Sequence, residues 1–198
     1  DKGISDIAEL RYTGRKALVQ DYTCGNYQLV HGEKPVLIPQ IAYLTNDSWE
    51  IVSGISGENG WPLLHMADYS TGKLYVLTIP DNFADLYKFP PEVLNKIRAI
   101  LCGGLEISME GPSGISIYLY DNKTFIAESF LDRETSLKII TAGPFTRMTD
   151  ILNDQIVEGV RVSSRFDRRT PAGQEKNAFS ITLKPHSFGV FRYGKETD

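Results

Sequence analysis

The chain has 198 residues, 21 Lys and Arg against 25 Asp and Glu, and a formal charge of −4. A chain of this length buries roughly 70% of its unfolded surface and needs neither disulfide nor metal to fold; its 41% hydrophobic and 23% charged content excludes global disorder. The acidic balance gives no general attraction to nucleic acid or anionic membrane, and no apolar run approaches the roughly 20 residues that span a bilayer.

The chain opens Asp1-Lys2-Gly3, without Met and without an apolar targeting segment, so the expectation is a piece cut from a longer protein. Up to residue 80 the apolar pattern comes in short runs: Lys16–Gln20, Tyr27–His31, Val36–Leu44, Trp49–Ser53 and Trp61–Met66. Gly, Asn, Asp or Pro separates them, which is the punctuation of strands. Lys73–Ile79 is a near-continuous β-branched and aromatic run, which predicts a strand buried on both faces.

A helix is predicted over about 90–102. Val93, Leu94, Ile97, Ile100 and Leu101 recur at helical spacing, Pro90-Pro91 and Glu92 suit the first turn, and Gly103-Gly104 ends it. Asn82–Tyr87 can add a helical turn before it. Beyond Gly104 only strands are expected: Leu105–Met109, a hairpin of Ile115–Tyr120 and Thr124–Leu131 about Asp121-Asn122-Lys123, then Ser136–Ile140, Gln155–Val162, Ala178–Leu183 and Phe188–Tyr193. Strands at this spacing without intervening helices predict an antiparallel sandwich. The fold class is therefore mainly β (α+β): a smaller β-rich region with one main helix over 1–103, and an antiparallel β-sandwich over 104–198.

Catalytic motifs are sparse. His31, His65 and His186 are scattered, no Gly-x-Ser-x-Gly elbow occurs, and no His or Cys spacing makes a metal shell, so neither cofactor nor metal is expected. Gly54–Gly60 lacks the Lys-Ser/Thr ending and the following helix that a phosphate loop requires. Cys24 and Cys102 form no CxxC pair; two free, mostly buried thiols are expected, with a long-loop disulfide as the alternative in an exported protein. Arg161, Arg165, Arg168 and Arg169 could clamp an anion, but Glu158, Asp167 and Glu175 dilute their field, and Ser163–Lys176 is expected to be an exposed loop.

Carboxylates and aromatics gather between residues 50 and 85. Glu50, Glu58, Asp68, Asp81 and Asp85 lie near Trp49, Trp61 and Tyr69. Pyranose faces stack on aromatic rings while acidic groups accept hydroxyl hydrogen bonds, so Trp49, Trp61, Tyr69 and Asp68 are the candidate glycan contacts. Glycoside hydrolysis needs two carboxyl groups roughly 5–10 Å apart across a cleft, which makes Glu50 or Glu58 with Asp68 or Asp81 the hydrolytic alternative. The opposing reading places both tryptophans and Tyr75 in the core and leaves the acids solvated.

Two stretches carry a resemblance. The ending Phe179–Arg192, with Leu183-Lys184-Pro185-His186-Ser187 leading into Phe188–Arg192, resembles the last hairpin of β-sandwich domains that follow the catalytic barrel in many glycoside hydrolases. Pro185 fixes such a turn and Ser187 can bond the backbone. The stretch Gly60–Leu101, with Pro62-Leu63-Leu64, Tyr69–Leu77 and the amphipathic helix, is similar to the closing strand and helix of the glutamine-amidotransferase-like module of multidomain glycosidases, without that module's earlier βα units or a nucleophile. The resemblance covers about a third of the chain. It implies the C-terminal region of a large bacterial carbohydrate-active protein, periplasmic or extracellular, whose catalytic carboxylates lie upstream, and it assigns no catalytic residue here. The expected role is non-catalytic: interdomain support or weak glycan binding, with other domains of a parent chain and a glycan as partners. A free-standing glycoside hydrolase and an assembly domain without ligand are the alternatives.

Overall fold

The structure, a computed structural model, describes residues 7–25, 28–45, 48–69, 71–162 and 176–194. The chain divides into two compact units, Asp1–Ile97 and Arg98–Asp198.

The first unit is one antiparallel sheet of β1 (Ile7–Cys24), β2 (Gln28–Thr45), β3 (Ser48–Ser56), β4 (Asn59–Tyr69) and β5 (Gly72–Leu77), in the order β2-β1-β3-β4-β5. β1 and β2 are each 18 residues long, and their pairing shifts register three times. One shift falls between Tyr12 and Lys16, where Gly14 takes a left-handed φ of 77° and the Thr13 hydroxyl donates to the Gln40 carbonyl at 3.0 Å. Such bulges bend and twist a hairpin. Alternation still sorts the faces: the opposed pairs Val19–Val36 and Ala17–Ile38 are buried, while Leu18 and Leu37, opposed on the other face, are exposed.

In β4 five consecutive residues, Leu63–Ala67, are buried, so its centre is covered on both faces. β5 departs from expectation. It is the terminal strand of the sheet, and Leu74 and Tyr75 are exposed. Its β-branched and aromatic composition suits a half-covered strand as well as a central one.

After β5 the chain returns to β2: the Asp81 N–H donates to Leu37 O at 3.2 Å, and Lys16 Nζ pairs with Asp81 at 2.7 Å. A 3₁₀ turn, Phe83–Lys88, follows, capped by Asn82 Oδ1, which accepts from the Ala84 N–H. Phe89 meets the fully buried Tyr22 ring edge-on, 5.6 Å between centroids. Helix α1 (Pro91–Leu101) comes next; Val93 is buried, but Leu101, expected on the apolar face, is exposed. Cys24 and Cys102 are both free thiols, and burial pushes Cys24 above the ordinary thiol range.

The second unit is a two-layer antiparallel structure consistent with a sandwich. One sheet has the order β11-β10-β14-β8-β7, the other β12-β13-β9-β6. The strands are β6 (Ile107–Glu110), β7 (Ile115–Leu119), β8 (Thr124–Ser129), β9 (Thr135–Ala142), β10 (Arg147–Asp150), β11 (Gln155–Glu158), β12 (Val160–Arg161), β13 (Lys176–Leu183) and β14 (Phe188–Tyr193). Period-2 burial is strict in β8, β9, β13 and β14. Ile107, Phe125, Leu137, Ile139, Met148, Phe179, Ile181, Leu183, Phe191 and Tyr193 form the core, with Phe125 and Phe191, opposed in register, stacked at 5.2 Å.

Two strand expectations change. Gln155–Val162 is two short strands, because the chain passes from one sheet to the other at Gly159. β10 had no visible signal, being four residues with one buried side chain, Met148. The Arg98 guanidinium, in the last turn of α1, donates to Gly111 O at 2.5 Å and Pro112 O at 2.8 Å, holding the turn between β6 and β7. Of the expected loop Ser163–Lys176, residues 163–175, with Arg165, Arg168 and Arg169, lie outside the described residues, while Lys176 opens β13 and Arg161 stands on β12.

Candidate functional site

The acidic residues between 50 and 85 are held by separate partners. Glu50, on β3, accepts a hydrogen bond from the Ser53 hydroxyl. Asp68, near the end of β4, pairs with Lys73 of β5 at 2.8 Å. Asp81 is bound to Lys16 and Asp85 to Lys88, each at 2.7 Å. Glu58 is exposed in the turn joining β3 to β4. Asp68 and Asp81 are thus each engaged by a lysine, and Glu50 by a serine hydroxyl. Among the described residues no group of three or more His, Cys, Asp or Glu is placed to hold a metal ion.

His65 is the buried histidine, 4% exposed, in the covered centre of β4 and opposite Glu50 in register. Burial lowers its pKa, and the Glu50 charge works against that shift. His31 sits against Asp21 at 2.6 Å on the exposed β1–β2 hairpin, and His186 occupies a turn.

The candidate glycan contacts divide into two places. Trp49 on β3 lies opposite Met66 on β4, and Met66 lies opposite Tyr75 on β5. Directly opposed residues share a sheet face, so Trp49, Met66 and Tyr75 form one row across three strands. Asp68 and Lys73, also opposed, make the next row on that face. The Lys73 ammonium therefore reaches Asp68 and also stands 5.5 Å from the centre of the Trp49 ring. Trp61 lies elsewhere, opposite Gly54, about 16 Å further along β4 at strand rise. Tyr69 ends β4 opposite Gly72, and its side chain lies outside the described part of the structure.

Neither tryptophan is fully buried, and Tyr75 is 39% exposed, so these rings are not core residues. Lys73 and Tyr75 were not among the expected contacts. Their i, i+2 spacing places them on one face of a strand, but only the register shows that Trp49 and Asp68 share it.

The second unit offers a different feature. On the outer surface of its four-stranded sheet stand Ser136, Lys138, Ser180 and Thr182, beside an apolar row of Val160, Ala178 and Ile140. The five-stranded sheet carries an apolar row on its outer side among polar residues such as Ser116, Thr124 and Thr149. Tyr118 opposes Ile126 and Ile126 opposes Val190, so three apolar residues cross three successive strands, and Ile151, in the turn after β10, donates its N–H to Val190 O at 2.8 Å. Tyr118 is 45% and Ile151 39% exposed. Phe188, 57% exposed, stands beside this row, with Glu128 and Arg192 at its margins.

A clasp closes the sandwich at its ends. The Tyr193 hydroxyl donates to Glu106 at 3.0 Å, and Lys123 pairs with the same carboxylate at 2.6 Å. These bonds hold Glu106 below the ordinary carboxylate range, while burial and the Glu106 charge push Tyr193 up to about 12.

Residues 106–193, from that glutamate to that tyrosine, match the family model described as probable glycosyl hydrolase, C-terminal domain. The match supports a glycoside-hydrolase-like family. A domain so described fits an accessory role in a carbohydrate-active protein and suggests a larger parent chain. No curated protein and no solved structure matches the chain. Among the described residues no helix is long and apolar enough to cross a membrane.

Proposed function

We propose that this chain is a non-catalytic accessory region of a carbohydrate-active protein, whose sandwich packs against another domain of the parent chain. The observation that carries this reading is the apolar row on the outer face of the five-stranded sheet, Tyr118, Ile126 and Val190, with the exposed Phe188 beside it. A contiguous apolar row with polar margins has the composition of an interface core and rim. The C-terminal-domain description of residues 106–193 supports a preceding domain of the same chain as the partner. A bacterial, exported parent and a working boundary at Gly103-Gly104 belong to this proposal. The likeness of Gly60–Leu101 to an amidotransferase-like module belongs to it as a sequence resemblance.

The test is Val190→Lys in the parent protein and in this chain alone. The melting temperature of the isolated chain should change little, since Val190 faces outward. The parent should lose resistance to limited proteolysis between its domains. Equal protease resistance of variant and wild-type parent would remove the docking role.

A second reading is weak glycan binding by the first unit, through Trp49, Trp61, Tyr69 and Asp68. It is favoured by the partly exposed rings beside a paired carboxylate. Isothermal titration against a glycan panel tests it, with Trp49→Ala and Trp61→Ala as variants. Affinity unchanged in both would leave only the structural role.

A further inference from the structure

We propose that Trp49, Tyr75 and the Asp68–Lys73 ion pair form one binding surface for a neutral glycan, with the rings carrying the sugar face and the ion pair reading adjacent hydroxyls. This inference rests on the glycan-binding reading and narrows it to one place and one ligand class.

The strand register carries the geometry. Trp49 and Tyr75 stand two strands apart in the same row, so their Cα positions are about 10 Å apart. Between them Met66 is 1% exposed, so it lies beneath its neighbours and the ligand-facing atoms are those of the two rings and the ion pair. Two partly exposed rings about 10 Å apart suit an extended sugar chain better than a single compact ligand.

The ion pair supplies the polar half of the site. Asp68 can accept from one hydroxyl and Lys73 can donate to its neighbour, so a vicinal diol can bridge the two groups. Lys73 already approaches the Trp49 ring, and its side chain is about one-third exposed, so the ammonium lies where a hydroxyl above that ring would meet it. The pair carries no net charge. A uronic acid or an amino sugar would have to break the Asp68–Lys73 pair before either group could match its charge. Neutral hexose and pentose chains meet no such penalty.

The experiment is calorimetric titration of the 198-residue chain with hexasaccharides of β-linked glucose, xylose and mannose, and with oligogalacturonate as the charged counterpart. Binding to a neutral oligosaccharide is expected, with no heat from oligogalacturonate. Tyr75→Ala should weaken binding roughly threefold to tenfold, the range of one aromatic contact. Lys73→Met, a substitution at an exposed position, should weaken it similarly and serves if Tyr75→Ala fails to fold. Wild-type affinity in both variants, with loss in Trp61→Ala, would overturn the inference while leaving glycan binding in place at the other end of β4. Preferential binding of oligogalacturonate would overturn the neutral ligand class. No binding of the wild-type chain to any of the four would overturn the inference and the glycan-binding reading together.

Discussion

Replacing Gly159 by alanine should destabilise the sandwich through one contact. Gly159 lies between β11 and β12, where the chain leaves the five-stranded sheet for the four-stranded one, and its N–H donates to Thr146 O at 2.8 Å. A Cβ there would stand 2.7 Å from two atoms of the Phe179 ring and 3.2 Å from a third. Phe179 is fully buried, opposite Ile139 in the core, so the ring cannot swing into solvent. Gly159 has no left-handed φ that would penalise alanine, so the cost is steric.

Overpacking of this kind costs about 1–3 kcal/mol. For a unit of roughly 100 residues each kcal/mol moves the melting temperature by about 4–8 °C, so a fall of about 5–20 °C is expected. The assay is thermal unfolding of the whole chain followed by near-ultraviolet circular dichroism. A second variant isolates the cause: Phe179→Leu removes the clashing ring edge at its own cost, and the Gly159→Ala substitution should cost less in that background than alone. An unchanged melting temperature in Gly159→Ala, or an equal loss in both backgrounds, would refute the steric account.

Other substitutions test separate links. Tyr22 is fully buried, and among the described residues its hydroxyl has no hydrogen-bond partner; Tyr22→Phe should therefore leave stability unchanged or raise it by about 1 kcal/mol in chemical denaturation. His65 has a folded-state pKa below its ordinary value, so the unfolded chain takes up the proton first. Stability should fall as pH drops below about 6.5 and level off once the folded ring protonates; His65→Gln should flatten that part of the melting-temperature profile. His186 holds a φ of 46° after Pro185, a position of a tight turn that favours glycine. His186→Gly should raise stability by up to about 1 kcal/mol, whereas Ser187→Ala should lower it by about 1 kcal/mol through loss of the hydroxyl bond to Lys184 O.

How much the residues disclose depends on the range over which each signal acts. Helix α1 is legible because Val93, Leu94 and Ile97 repeat at helical spacing between a proline pair and a glycine pair. The β7–β8 hairpin is legible for the same local reason: two alternating runs flank Asp121-Asn122-Lys123, and Lys123 takes the left-handed φ of 62° that the turn needs. The length of β1 and β2 is hidden because bulges imitate loops. Thr13-Gly14 looks like an interruption in sequence and is a bend inside a continuous hairpin. The position of β5 is hidden for another reason: strand order is a property of the sheet, and Lys73–Ile79 has the same composition at an edge as in the centre. The site follows that rule. Asp68 and Lys73 flank one turn and could be paired by eye, but Trp49 and Met66 are brought together only by the register of β3 on β4.

The acidic cluster shows why composition over-reads chemistry. Five carboxylates within 36 residues suggest a hydrolytic pair, yet folding assigns Asp68, Asp81 and Asp85 each to its own lysine and Glu50 to a serine hydroxyl. The two proposed surfaces, one on each unit, predict separable phenotypes. Val190→Lys should change the stability of the parent protein and leave glycan affinity at the wild-type value. Tyr75→Ala should do the reverse. The double variant should therefore show the parent-stability change of the first substitution and the affinity change of the second, with no coupling between them. A coupled outcome, with Val190→Lys lowering glycan affinity in this chain alone, would place both surfaces in a single site and refute the division of labour between the units.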